Sequence, residues 1–161
     1  MSTPAIRLLK ECGVAFDLHT YNHDPREESF GAEAARKLDV DPMLVFKTII
    51  FLIEGRHPVA AIVPVTGTVD TKALARALDV KRIDDCPVAT AERLTGYVVG
   101  GISPLGHRTT STTVLDQSAL ECEQIYVSGG RRGLEIRLSP TDLVEVTKAR
   151  IAPIAQSSGR A

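Results

Sequence analysis

Two nearly unbroken apolar runs constrain this 161-residue chain more than any other feature: Val45 to Ile53, VFKTIIFLI, and Val59 to Val65, with a Glu54–Pro58 turn between them. Their apolar and β-branched composition reads as strand, turn and strand, hence a hairpin. Lys47 is the only charge in the first run. Burying an unpaired ammonium is costly. If that strand is covered on both faces, Lys47 either snorkels at the strand end or projects into a solvated, functional pocket.

Glycine marks two further segments. In Thr95 to Gly106, TGYVVGGISPLG, a β-rich run breaks into Gly100 and Gly101, followed by Ile102 and a Ser103-Pro104 turn closed by Gly106. Residues without a Cβ suit either a strand end with a tight turn or a backbone that approaches a ligand oxyanion or carbonyl. Ile125 to Leu138, IYVSGGRRGLEIRL, reads as a hairpin whose tip carries Arg131 and Arg132. That tip is either a phosphate grip or an ordinary solvated turn.

The rest of the chain alternates irregularly between helix and strand. Thr3-Pro4 caps and opens a helix to about Cys12, and Val14, Phe16 and Leu18 then alternate as a strand. Asn22 to Glu28 is a loop, after which Phe30, Ala34 and Leu38 mark the apolar face of a second helix. Tyr21 stands where strand meets loop, as a half-buried hydrogen-bonding residue or a site residue. Asp70 caps a helix through about Leu78, with Leu74 and Leu78 inside and Lys72 and Arg76 solvated. Pro87 opens a short helix ending near Gly96, Thr109 to Thr113 leads into a short strand, and Ser139-Pro140 caps a last helix with Leu143 and Val146 inside. The closing stretch, IAPIAQSSGRA, lacks periodicity and is expected to fray. The class is α+β.

Composition excludes several functions. A net charge of −1 argues against holding nucleic acid by bulk electrostatics, and 4% aromatic residues with no tryptophan provide no stacking platform for single strands. Any RNA contact must be local. With no signal-peptide pattern and no apolar run long enough to span a bilayer, a cytoplasmic protein with no membrane association is expected. Cys12, Cys86 and Cys122 are far apart and outside any ligand spacing, and His19 and His23 fall in a strand and a loop, so neither metal nor cofactor is expected. The chain has no phosphate loop, no dinucleotide fingerprint, no Gly-x-Ser-x-Gly elbow and no recognised triad order. It offers a pocket without an obvious protein nucleophile.

TPAIRLL at the start, HTYNHDPREESFG, VFKTI, GYVVGGISPLG and IYVSGGRRGLEI, in this order, resemble the YbaK/EbsC family and within it the bacterial Cys-tRNA(Pro) deacylases. The resemblance covers nearly the whole chain. It implies a mixed, mostly antiparallel, barrel-like sheet flanked by helices, with residues 1–155 as one editing domain; the lack of periodicity leaves 156–161 as an expected frayed tail. It implies hydrolysis of misacylated tRNA in which the cysteinyl thiol of the substrate attacks its own ester carbonyl, the enzyme supplying position and charge. By the same resemblance Lys47 is the essential lysine, Tyr21 a site tyrosine and Gly101 the backbone facing the scissile ester. Gly100, Ile102, Ser103, Pro104, Ser128, Gly129 and Glu135 line the substrate site, and Arg131 and Arg132 touch tRNA. Glu135 stands where close relatives often carry Asp, one methylene shorter, and its alternation with Leu134 and Ile136 equally suits an outward-facing, solvated residue. The expected partners are aminoacylated tRNA(Pro) and prolyl-tRNA synthetase, which holds the tRNA. Two alternatives stay open: an Ala-tRNA(Pro) deacylase of the same fold, and a non-catalytic module that binds a nucleotide or aminoacyl end.

Overall fold

Residues 2–157 are described in a computed structural model, and their elements follow from local chemistry. The Ile6 N–H donates to the Thr3 hydroxyl at 3.2 Å to open α1 (Pro4–Glu11), whose Ala5, Ile6 and Leu9 are fully buried. The strand β1 (Asp17–Thr20) starts later than the alternation suggests. Val14 and Phe16 pack on the core, but Leu18 is left 42% exposed because β1 is the edge of its sheet. After a loop comes α2 (Phe30–Leu38), then β2 (Phe46–Ile53) and β3 (His57–Pro64), the expected hairpin. A short β4 (Gly67–Val69) leads to α3 (Thr71–Leu78), where the Asp70 carboxylate accepts the Lys72 and Ala73 N–H groups at 3.1 Å. Leu74 and Leu78 face inward and Lys72 and Arg76 outward, as the spacing predicts. There follow β5 (Ile83–Asp85), α4 (Val88–Thr95), β6 (Thr112–Asp116), the second hairpin β7 (Ile125–Arg131) and β8 (Leu134–Leu138), α5 (Pro140–Thr147), β9 (Arg150–Ala152) and β10 (Ala155–Ser157).

Three sheets result. Five strands run β5-β2-β3-β6-β9, three run β1-β8-β7, and β10 pairs with β4. Among these strands β3–β6 and β6–β9 are parallel and the other pairings antiparallel, so the class is α+β with mostly antiparallel sheet, and the five-stranded ladder ends at β5 and β9 without closing. The absence of alternation in the apolar runs has a direct cause. Ala60 and Ile62 of β3 pack with Phe46, Ile50, Leu115, Val127, Leu134, Ile136 and the α1 residues Ile6 and Leu9. Val59, Ala61 and Val63 pack on the opposite face with Phe51, Val114, Ile154 and the α3 residues Leu74 and Leu78. A strand buried on both faces has no polar side to show.

Two expectations need correction. The Val98–Gly101 segment is a turn, not the end of a β-rich run: α4 stops at Gly96 in the left-handed region (φ 84°), and the Gly101 N–H donates to the Val98 carbonyl at 2.9 Å. Tyr97 is drawn inward, its hydroxyl donating to the Leu105 carbonyl at 2.6 Å, while Val98 stays 51% exposed, so the two valines have no sheet to join. The chain also does not fray from Ile151. One carboxylate oxygen of buried Asp116 accepts the Ile154 and Ala155 N–H groups, each at 2.9 Å, and Ile154 is fully buried between β9 and β10. A single apolar residue fixed by a distant carboxylate carries no periodicity. Gln156 and Ser157 therefore belong to β10, and the remainder of the expected tail, 158–161, lies outside the described residues.

Candidate functional site

The main cavity exists because β2 is left without a strand partner along part of one edge. β3 pairs with all of β2, but β5 pairs only with Phe51–Ile53, and apart from a single bridge between Val45 and Tyr126 no strand among the described residues pairs with the rest of that edge. A cavity of about 440 Å³ opens there, within the range that takes a small-molecule group. Phe46 to Ile49 of β2, Ser128 of β7 and Glu135 of β8 line it, together with Phe30, Val99, Gly100, Ile102 and residues of the loop before α2.

Lys47 reaches this cavity half-buried and has no ion-pair partner among the described residues; burial lowers its pKa from the usual lysine value. Lys47, the second residue of β2, thus stands at the strand end and lines a cavity. Glu135 lines the same space only 7% exposed, and burial raises its carboxyl pKa to about 8. It sits directly opposite Ser128 on β7 and His19 on β1. Its neighbours Leu134 and Ile136 point into the core on the other side, so the alternation of β8 turns Glu135 toward the cavity and not toward solvent. Tyr21 is half-buried beside these groups. Burial first, then the charges of Glu135 and Glu33, raise its pKa to about 12, so the phenol stays protonated across the physiological range.

Not every candidate residue meets the cavity. Lys47, Glu135, Ser128, Gly100 and Ile102 line it. Gly101 is not among the lining residues: a Cβ built there lies 2.7 Å from the Arg131 Cα and 2.9 Å from the Arg132 nitrogen, so its missing side chain makes room for the hairpin tip. Gly129 is likewise packed, its Cβ position 2.7 Å from Leu134 and its carbonyl accepting from the Thr3 hydroxyl. Ser103 is fully buried, its hydroxyl accepting the Leu105 N–H and its carbonyl accepting from His107 Nε2 at 2.6 Å. Pro104 lines a separate cavity of about 290 Å³ with His107 and Ser111. Arg131 is exposed, and Arg132 braces the site from outside: its Nε donates to the Val99 carbonyl at 2.9 Å and its guanidinium lies 4.8 Å from the centre of the Phe30 ring.

Sequence reasoning missed how the wall at Phe30 is held. Glu33, fully buried on α2, accepts from the Asp24 N–H at 2.7 Å and the Lys37 ammonium at 3.1 Å, and pairs with His23 Nδ1 at 2.7 Å. Lys37 also donates to the Asn22 carbonyl. The loop before α2, which supplies Glu28 and Ser29 to the cavity, is thereby tied to the helix that follows it. Burial pushes the Glu33 carboxyl up, but its hydrogen bonds outweigh that and its pKa lies below the usual value. No local sequence pattern marks this network; in the first turn of α2 a Cβ at Gly31 would lie 2.3 Å from Val65 Cγ1, so the helix start packs closely on Val65 beside the cavity. Among the described residues no group of three His, Cys, Asp or Glu side chains converges to hold a metal, and no helix is long and apolar enough to cross a membrane.

A family model and a relative of known name place the chain in one family, and solved structures share its fold. The aminoacyl-tRNA editing domain family matches residues 25–146. EbsC of Enterococcus faecalis, a proposed Cys-tRNA(Pro)/Cys-tRNA(Cys) deacylase, is 31% identical over 153 residues, covering 94% of this chain and 92% of that protein. A solved structure of a proposed trans-editing enzyme for prolyl-tRNA synthetase superimposes with a TM-score of 0.84 at 22% identity, covering 98% of this chain and 99% of the other. A hypothetical protein of known structure superimposes with a TM-score of 0.85 at 25% identity, covering 96% and 100%.

Proposed function

The chain belongs to the aminoacyl-tRNA editing domain family, and from that premise we propose that it is a trans-editing hydrolase that deacylates mischarged Cys-tRNA(Pro). The observation that carries this reading is the half-buried Lys47 ammonium, unpaired among the described residues, in a cavity of about 440 Å³ whose described lining offers no serine–histidine or cysteine–histidine nucleophile. The cavity takes the aminoacyl group. The cysteinyl thiolate attacks its own ester carbonyl, and Lys47 stabilises the negative charge that develops on the carbonyl oxygen. Apolar walls from Phe46, Ile49, Val65 and Ile102 exclude water and strengthen that interaction. With a net charge of −1, the protein holds tRNA through local contacts, and prolyl-tRNA synthetase supplies the remaining grip on the substrate.

The test is a substrate series. Purified protein is given Cys-, Ser- and Ala-tRNA(Pro) and an S-methylated Cys-tRNA(Pro), and loss of the ester is followed. Cysteine is expected to be removed fastest, serine more slowly through its poorer nucleophile, and alanine and S-methylcysteine hardly at all. Fast removal of alanine or of S-methylcysteine would show that water or a protein group attacks the ester, and would place the chain among size-selecting deacylases. Binding with no turnover of any of them would make it a non-catalytic module.

A further inference from the structure

Positioning and charge account for Lys47 but give Glu135 no task. It is 7% exposed, lines the cavity, and has no hydrogen-bond or ion-pair partner among the described residues. An ionised carboxylate left alone in such a place is costly, and the neutral acid is the form burial favours. The groups that face it do not alter this. His19 lies directly across on β1 with its Nε2 buried and unpartnered, and Ser128 lies across on β7 with its hydroxyl accepting the Gly130 N–H. Tyr21 stands near enough to feel its charge, and Lys47 and Glu28 line the same cavity from β2 and from the loop before α2. None of them pairs with it. What remains is a carboxylic acid that holds a proton beside the space the ester would occupy.

Resting on the trans-editing reading, we infer that Glu135 is the general acid that protonates the departing ribose oxygen and the general base that activates water afterwards. The cysteinyl sulfur, its proton lost to solvent, forms a C–S bond at the ester carbon. The bond from that carbon to the ribose oxygen breaks with its electron pair on oxygen, and that oxygen takes the Glu135 proton. Water then adds to the resulting thiolactone: a C–O bond forms, the C–S bond breaks with its electrons on sulfur, and the Glu135 carboxylate takes a proton from the water. Ester and water are consumed, free cysteine and tRNA are released, and the acid is restored for the next cycle.

The leaving group tests this. A ribose alkoxide needs a proton to depart, whereas 4-nitrophenolate does not. Glu135→Gln is expected to lower kcat on the aminoacyl-tRNA by roughly 10²- to 10⁴-fold, the usual worth of a general acid, with KM little changed. In the single-turnover release of 4-nitrophenolate from cysteine 4-nitrophenyl ester, which reports bond cleavage to the leaving group before water attacks the thiolactone, the deficit should largely disappear, and Glu135→Asp should recover part of the loss on the tRNA ester. Independently of turnover, the wild-type infrared spectrum at pH 7 should contain a protonated-carboxyl band that Glu135→Gln removes. An equal loss on both leaving groups in the single-turnover cleavage step, a loss confined to KM, or no such band overturns the assignment. The comparison is made on whichever aminoacyl-tRNA the wild type hydrolyses, so a different amino-acid preference leaves it standing. A wild type inert on all of them removes the trans-editing reading and this assignment together.

Discussion

Lys47 and Gly101 show how differently two residues of one sequence pattern can act. Lys47 has no partner to lose among the described residues, so Lys47→Ala should fold at least as well as the wild type while kcat/KM falls on the order of 10²- to 10³-fold, the range for removing one transition-state donor. Thermal melting alongside turnover checks both halves, and near-normal turnover in the folded variant would remove Lys47 from the chemistry. Gly101 points the other way. The resemblance implies that a side chain there blocks the substrate, yet its Cβ direction runs into the Arg131–Arg132 backbone. Gly101→Ala is therefore expected to cost about 1–3 kcal/mol of stability, as overpacking does, with the fraction that folds still active. An unchanged melting temperature with lost turnover would restore the ligand-facing role.

At the level of elements, two buried carboxylates hold segments that the sequence does not mark. Asp116 binds the Ile154 and Ala155 amides, and hydrogen bonds to a charged group are each worth about 1.5–3 kcal/mol. Asp116→Ala should therefore destabilise by at least that much and speed hydrogen exchange at these two amides, whereas Asp116→Asn, which keeps an acceptor oxygen, should be milder. Glu33 does the same for the loop that borders the cavity. Its folded pKa lies below the unfolded value, so its contribution to stability is present above the ordinary glutamate range near 4.5 and is lost as the pH falls through the folded value. Acid titration of stability should show this loss in the wild type and not in Glu33→Gln.

For the molecule as a whole, Glu135 imposes a pH dependence of opposite sign. Its folded pKa, about 8, is raised above the ordinary 4.5, so stability linked to its proton is complete below about 4.5 and declines as the pH rises through 8. A melting series from pH 5 to pH 9 should therefore fall more steeply for the wild type than for Glu135→Gln, by at most a few kcal/mol at the alkaline end, since a tenfold difference in proton affinity between the folded and unfolded chain is worth about 1.4 kcal/mol. Parallel curves for the two proteins would show that the carboxyl is ionised in the fold at neutral pH. This stability cost is unlike those of Asp116 and Glu33, which hydrogen bonds offset, and an uncompensated buried acid is the kind of feature that function retains.

The sequence determined by itself what depends on neighbours in the chain: the Thr3, Asp70 and Ser139 caps, the β2–β3 and β7–β8 hairpins, the apolar faces of the capped helices, and, through ordered motifs, Lys47 and Glu135 as residues of interest. Those features are set within a few residues by capping geometry, turn chemistry and hydrophobic spacing. Tertiary structure alone decided which of the candidate residues meet. It left part of one β2 edge unpaired and so opened the cavity, turned Gly101, Gly129 and Ser103 into packing, and drew the C-terminal strands in through Asp116. It also drew Glu33 and His23 together to hold the cavity's border. Contacts between residues distant in the chain depend on how sheets and loops close on one another in three dimensions, and no local period encodes them.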